Sequence, residues 1–295
     1  LKGKDGNREG QQDRTYAGRQ AALATMHGKE KAIAGPLLET LGLSLVIPPA
    51  VDTDLLGTFT GEVPRPGRIE ETAIAKARMG MQATGLRIGI ASEGSYGPHP
   101  QIPFVAAGIE IMVLVDDEHG IVVREKIIDE NPVYDHAVAA SMADIQPFLR
   151  RIDFPRHALI VRPNVADASA PIYKGIADAG QLADAIAHCA NQSGDARAMV
   201  QTDMRAHMNP SRMHVIARLA AKLADRIATQ CPDCETPGFG VTGVELGLPC
   251  KWCGGASTLV RREILECAAC DHVEKRARPD GLTHADPAQC PSCNP

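Results

Sequence analysis

The chain has 295 residues, a net charge of −5 and an apolar fraction of 44%, which allow one sizeable α/β domain and a small second one. That charge excludes a general attraction for nucleic acid or anionic membrane, and no apolar run nears the roughly 18 residues a membrane span needs. Aromatics are only 3% of the chain, so the core must be built from Ala, Val, Ile and Leu.

Residues 1–17, opening LKGKDGNREGQQDR, lack an apolar stretch and read as a disordered, solvated tail. With no secretory signal, a cytoplasmic location is expected, where thiols stay reduced. Residues 21–25 (AALAT) form a short predicted strand, and HGKEKAIAGPLLETLG a helix that Gly35-Pro36 should kink or split. A strand over 43–48 follows. The Gly, Pro and Thr-rich segment 52–67 is too long for a simple connection and is a candidate functional loop. Residues 69–84 read as a strong helix ending at Gly85.

Residues 86–92 form a buried strand running into a polar turn, EGSYGPHP. Strands over 109–115 and 120–126 flank Asp116-Asp117-Glu118-His119-Gly120, a hairpin signal. Helix 135–150, strand 157–162, helix 178–190 and strand 197–202 are expected next. The last helix starts at Asn209-Pro210, with Asn as N-cap and Pro at N1, and Val215, Ile216, Leu219, Leu223 and Ile227 share one face. The pattern predicts an α/β domain over 18–228, a mixed sheet with flanking helices, and a cysteine-rich domain over 229–295.

Open α/β sheets place ligands at strand ends, and three segments there carry polar residues. Thr25-Met26-His27-Gly28-Lys29 joins a strand to a helix and suits a phosphate, although a plain turn has the same composition. Glu71 in the first turn of the 69–84 helix either favours the helix dipole or holds Mg²⁺. Glu93 is carried by a strand into the turn containing Ser95, and the nearby His99 is a candidate base or ligand or a structural histidine held between prolines. Two carboxylates from different elements, meeting at one point, would make a hard-cation site.

In order, ATMHGKE, GRIEETAIAKARMGMQATGL and GIASEGS resemble the house-cleaning nucleotide pyrophosphatases of the inosine triphosphatase superfamily, nearest the inosine/xanthosine triphosphatase branch. The resemblance spans residues 21–127. It implies an inosine triphosphatase-like fold, with Thr25 and Lys29 in a phosphate loop, Glu71 followed by Lys76-Ala77 on the helix, and Glu93 as the acid after the next strand. His27 stands where that family has Asn, and the loop is one residue shorter before its lysine. The blocks GTFTGE, SEGSYGPHP, TDMRAHMNP and CPSCNP also look like those of a bacterial family of unknown activity that ends in a zinc-ribbon tail.

Two further clusters carry chemistry. Arg205, His207 and Arg212 sit beside the start of the last helix and would bind an anion, unless Asp203 pairs Arg205 and Asn209 merely caps. Cys189 lies on an amphipathic helix and reads as core.

The remaining eight cysteines form four Cys-x-x-Cys pairs: Cys231/Cys234, Cys250/Cys253, Cys267/Cys270 and Cys290/Cys293. Each pair can aim two thiolates at one ion, so four pairs predict two closed structural zinc sites, with His272 and His284 spare. Gaps of 15, 13 and 19 residues do not fix the pairing. Tandem pairing, first with second and third with fourth, is favoured over nesting. Arg261, Arg262, Lys275, Arg276 and Arg278 invite a nucleic-acid reading, but residues 231–295 hold nine acids against six Lys/Arg. Phosphate-driven binding needs the opposite balance, so a structural or protein-contact role is favoured.

The leading expectation is a Mg²⁺-dependent hydrolase releasing pyrophosphate from a nucleoside triphosphate or related phosphorylated ligand. Glu71 and Glu93 would hold the metal and Lys29 would neutralise phosphate, with Thr25, His27, Lys76, Ser95, His99, Arg205, His207 and Arg212 as binding candidates. The alternative is a non-catalytic adaptor whose ribbons contact a partner while the α/β domain senses a nucleotide. The oligomeric state is not readable from the sequence.

Overall fold

The computed structural model describes residues 15–49, 51–57, 63–165 and 170–294. Its first sheet is five-stranded, ordered β2-β1-β3-β4-β5, from β1 (Gln20–Leu23), β2 (Ser44–Val46), β3 (Ile88–Pro98), β4 (Ala106–Asp116) and β5 (Ile121–Asp129). Strand β1 runs parallel to β2 and β3, while β3, β4 and β5 are antiparallel, so the sheet is mixed as expected.

Period-two alternation assigns the two faces of this sheet. Ile88, Ile90, Met112 and Leu114 pack beneath helices α1 (Glu30–Leu41) and α5 (Pro210–Ala228). Ala91, Ile111, Val113 and Val115 meet Ala73, Ala77 and Met81 of α2 (Ile69–Thr84) on the other face. Gly89 lets α2 approach closely, since a Cβ there would lie 2.6 Å from the Met81 side chain. The expected stripe of α5 is buried, and Asn209 caps it by accepting from the Arg212 N–H. Gly85 adopts the left-handed conformation that ends α2.

Several expectations are corrected. Pro36 does not split α1, which runs from Glu30 to Leu41 across it, although its missing N–H forfeits one bond of the helix ladder. Tyr16, assigned to the solvated tail, is fully buried, and its hydroxyl donates to Asp116 at 2.7 Å. The rest of that tail, residues 1–14, lies outside the described residues. The polar turn after residue 92 is instead the outer half of β3, paired with β4 as far as Pro98 against Ala106. The helix expected over 135–150 is strand β6 (His136–Ala139) and short helix α3 (Gln146–Arg151).

Strand β6 belongs to a second sheet, which the sequence reading merged with the first. Its order is β6-β9-β7-β8, from β7 (Leu159–Pro163), β8 (Tyr173–Ile176) and β9 (Ala198–Thr202). It has its own core, in which Leu159, Val161 and Val200 pack with α3 and with α4 (Ala179–Asn191). Cys189 is fully buried in that core. A third sheet, β10 (Gly240–Leu246), β11 (Val260–Glu266) and β12 (Val273–Ala277), is antiparallel and lies among the cysteine pairs. No helix among the described residues is long and apolar enough to cross a membrane.

Candidate ligand cleft and cysteine centres

The junction of β1 and α1, the middle of β3, the segment before α2 and the edge of the second sheet meet around one narrow cleft of about 60 Å³. Thr25, His27, Lys29, Lys76, Glu93 and Arg205 line it, so six residues singled out from sequence are brought together. Lys29 immediately precedes α1, and its ammonium donates to the Ser92 carbonyl at 2.6 Å. Burial, with Arg212 nearby, pushes its pKa down to about 8. The Ser92 hydroxyl, on a residue lining the same cleft, is buried with no partner among the described residues.

Glu93 is 5% exposed and receives Lys76, while Arg65 approaches it at 3.4 Å and donates to the Gly94 carbonyl at 2.9 Å. Arg205 forms a forked pair with Asp203, as the plainer reading had it, yet it still lines the cleft. His27 stacks on His207 with centroids 5.3 Å apart, and its Nε2 lies 3.5 Å from Asp54. Burial lowers the pKa of both imidazoles.

Other predicted residues are placed differently. Glu71 is not among the residues that line the cleft: its carboxylate turns back to accept the Arg68 N–H at 2.9 Å, capping its own helix. Among the described residues no group of three or more carboxylate or histidine ligands is gathered. The first-turn position that favours an acid also lets Glu71 satisfy the helix's free N–H. Arg212 is fully buried, paired with Glu110 at 2.6 Å, and does not line the cleft. His99 is buried, and its Nδ1 accepts the N–H groups of Gln101 and Ile102, both at 3.1 Å. Ser95 lines an adjoining compartment.

Arg65, Asp54 and Lys174 also line the cleft and were not singled out. The first two fall in the 52–67 loop flagged as functional, although residues 58–62 of that loop lie outside the described residues. Lys174 sits on β8, a strand too short and polar to be read from periodicity.

The cysteines group as Cys231, Cys234, Cys267 and Cys270, and as Cys250, Cys253, Cys290 and Cys293. The pairing is interleaved, first with third and second with fourth, and both tandem and nested arrangements are corrected. Strands β10 and β11 run antiparallel between the knuckles and carry the third pair back beside the first. The closest sulfurs across pairs are 3.6–3.9 Å apart. A tetrahedron with arms of about 2.3 Å has edges near 3.8 Å, so each cluster could hold a zinc ion. Disulfide sulfurs would be separated by about 2.05 Å.

Four of the five flagged cations in this module are paired: Lys275 and Arg261 with Glu245, Arg276 with Glu263, and Arg278 with Asp280. The first cluster lies just beyond α5. There Arg226 donates to the carbonyls of Gly238 and Arg124 and meets Glu125 at 3.1 Å. These contacts fasten the module to strand β5.

Fold and sites together define an α/β protein with a cationic cleft and a C-terminal module of two four-cysteine centres. Residues 76–295 match the model of a family described as a domain of unknown function, DUF6671, and the chain belongs to that family. No curated protein and no solved structure matches it.

Proposed function

We propose that the cleft binds the phosphoryl groups of a small phosphorylated molecule, with nucleoside triphosphates the first class to test. The observation that carries this reading is the convergence of Lys29, Arg65, Lys76, Lys174 and Arg205 on one cleft that, among the described residues, only Asp54 and Glu93 line with carboxylates. Fixed cations beside a helix start stabilise a multiply charged anion. The unpartnered Ser92 hydroxyl supplies a further hydrogen-bonding group for it.

The resemblance to inosine triphosphatase-like enzymes adds hydrolysis to this reading. Mg²⁺ commonly enters such sites on the substrate's phosphates, held by one or two carboxylates. Glu93 is the residue that would hold it here, and the ion would supply charge neutralisation and an activated water. The residues present do not form an ion site by themselves, and Glu93 is tied to Lys76 and Arg65. That tie favours the second reading, a sensor that binds without turnover and presents its cysteine module to a partner protein. In both readings the two centres hold structural zinc.

A panel of nucleoside triphosphates with Mg²⁺, scored for pyrophosphate release and for binding, separates the two. Turnover lost in Glu93→Gln supports the hydrolase. Binding without turnover on any base supports the sensor, and absence of both contradicts the phosphate reading itself.

A further inference from the structure

A second compartment adjoins the cationic cleft. Gly57, Arg65 and Ile160 line both, so the two are neighbours. The second has a volume of about 370 Å³, within the roughly 300–1,000 Å³ of small-molecule sites.

The walls of this compartment follow from the register of the second sheet. Ile160 stands opposite Gln201, and Arg162 opposite Met199. Because Leu159, Val161 and Val200 fill the core on one face, alternation turns Ile160, Arg162 and Gln201 to the other, where they line the compartment. Facing them are Gly94 and Ser95 of β3. Tyr134, 42% exposed, adds a ring whose centroid is 5.7 Å from that of Tyr96. Tyr96 is itself held in place, its hydroxyl donating to Glu110 at 2.7 Å.

The result is a mixed lining, more polar than apolar overall, in which the Tyr134 ring and Ile160 stand beside a side-chain amide and a guanidinium. A bare polyphosphate has no use for those two apolar faces. A flat ring does: its faces pack against Tyr134 and Ile160, while its edge can both donate to and accept from Gln201 and accept from Arg162.

We propose that this second compartment holds a planar heteroaromatic ring carried on the same molecule whose phosphates enter the cationic cleft. The inference rests on the phosphate reading of that cleft. Tyr134, Ile160, Arg162 and Gln201 all lie outside the 21–127 span of the resemblance, so the residues assigned to the ring are not drawn from it.

The test is calorimetric titration of the full, metal-loaded chain with inorganic tripolyphosphate, ribose 5-phosphate, the common nucleoside triphosphates and flavin mononucleotide. At least one ring-bearing phosphate should bind about tenfold or more tighter than tripolyphosphate. Tyr134→Ala and Gln201→Ala should each remove most of that gain and leave tripolyphosphate affinity unchanged. Tyr134 is exposed enough for its variant to fold, which retained tripolyphosphate binding verifies. If ring-bearing phosphates bind no tighter than tripolyphosphate, if ribose 5-phosphate matches them, or if the gain survives both substitutions, the ring assignment is overturned while the phosphate reading stands. If tripolyphosphate and every other probe fail to bind, both readings fall.

Discussion

Arg212, in the first turn of α5, and Glu110, in the middle of β4, form an ion pair at 2.6 Å in which both side chains are at most 1% exposed. Arg212 also donates to the Met204 carbonyl and lies over the Tyr96 ring. Opposite Glu110 on β3 stands Gly94, where a Cβ would come within 2.6 Å of the guanidinium. The pair thus ties α5 and the Asp203–Asn209 turn to the strand that supplies Glu93. It braces one wall of the cleft without lining it.

Removing one partner leaves an uncompensated buried charge. Arg212→Met or Glu110→Leu should cost about 3–5 kcal/mol in urea unfolding, and the double variant should recover much of that. Gly94→Ala should also destabilise. Single variants that unfold at the wild-type midpoint would show that the pair contributes little to cohesion.

Interleaved pairing gives an unambiguous metal count. Cys231→Ser with Cys267→Ser removes two ligands of one centre and should lower bound zinc from two equivalents to one. Cys231→Ser with Cys250→Ser damages both centres and should weaken both ions. Tandem pairing predicts the reverse, and native mass spectrometry of the two double variants distinguishes them.

The cysteine pairs were legible from spacing because two thiolates across a tight turn leave few alternatives. Their partners were not, since pairing depends on how β10 and β11 fold back. The first sheet and α5 were legible from strong apolar periodicity and from the Asn209-Pro210 cap. Of the second sheet, β7 and β9 were legible as strands, whereas β6 and β8 were missed because they are four residues each and too short to show a period. Thr25 and Lys29 were found through their place at a strand-to-helix junction, Glu93 through the expected end of a strand that in fact runs on, and Lys76 through the resemblance. Arg65 and Lys174 reach the cleft through tertiary packing alone. Glu71 and Arg212 had suitable chemistry, but each found a partner nearer than any ligand.

Lys29 gives a pH signature. Burial lowers its pKa to about 8, so the ammonium is retained below that pH and lost above it. Phosphate affinity should therefore fall as pH rises through about 8, and Lys29→Met should remove that inflection. The buried charge opposes folding, and the cost is fully present below about pH 8. It is relieved as pH climbs towards the ordinary lysine range, so the stability difference between Lys29→Met and wild type should shrink over that interval. A pH series of titrations and denaturation curves checks both.

Glu71 now carries a different expectation. Its carboxylate caps α2, so Glu71→Ala should cost about 1 kcal/mol or less of stability and leave ligand binding unchanged. A loss of binding or turnover in a folded Glu71→Ala protein would restore it to the site.

The most direct test of the cationic cleft is tripolyphosphate binding, compared between the wild-type chain and its Lys29→Met and Arg65→Met variants. One ion should bind per chain, its affinity should fall steeply with added salt, and each substitution should weaken it by about tenfold or more. Absence of binding, or binding that both variants retain at wild-type strength, would contradict the account.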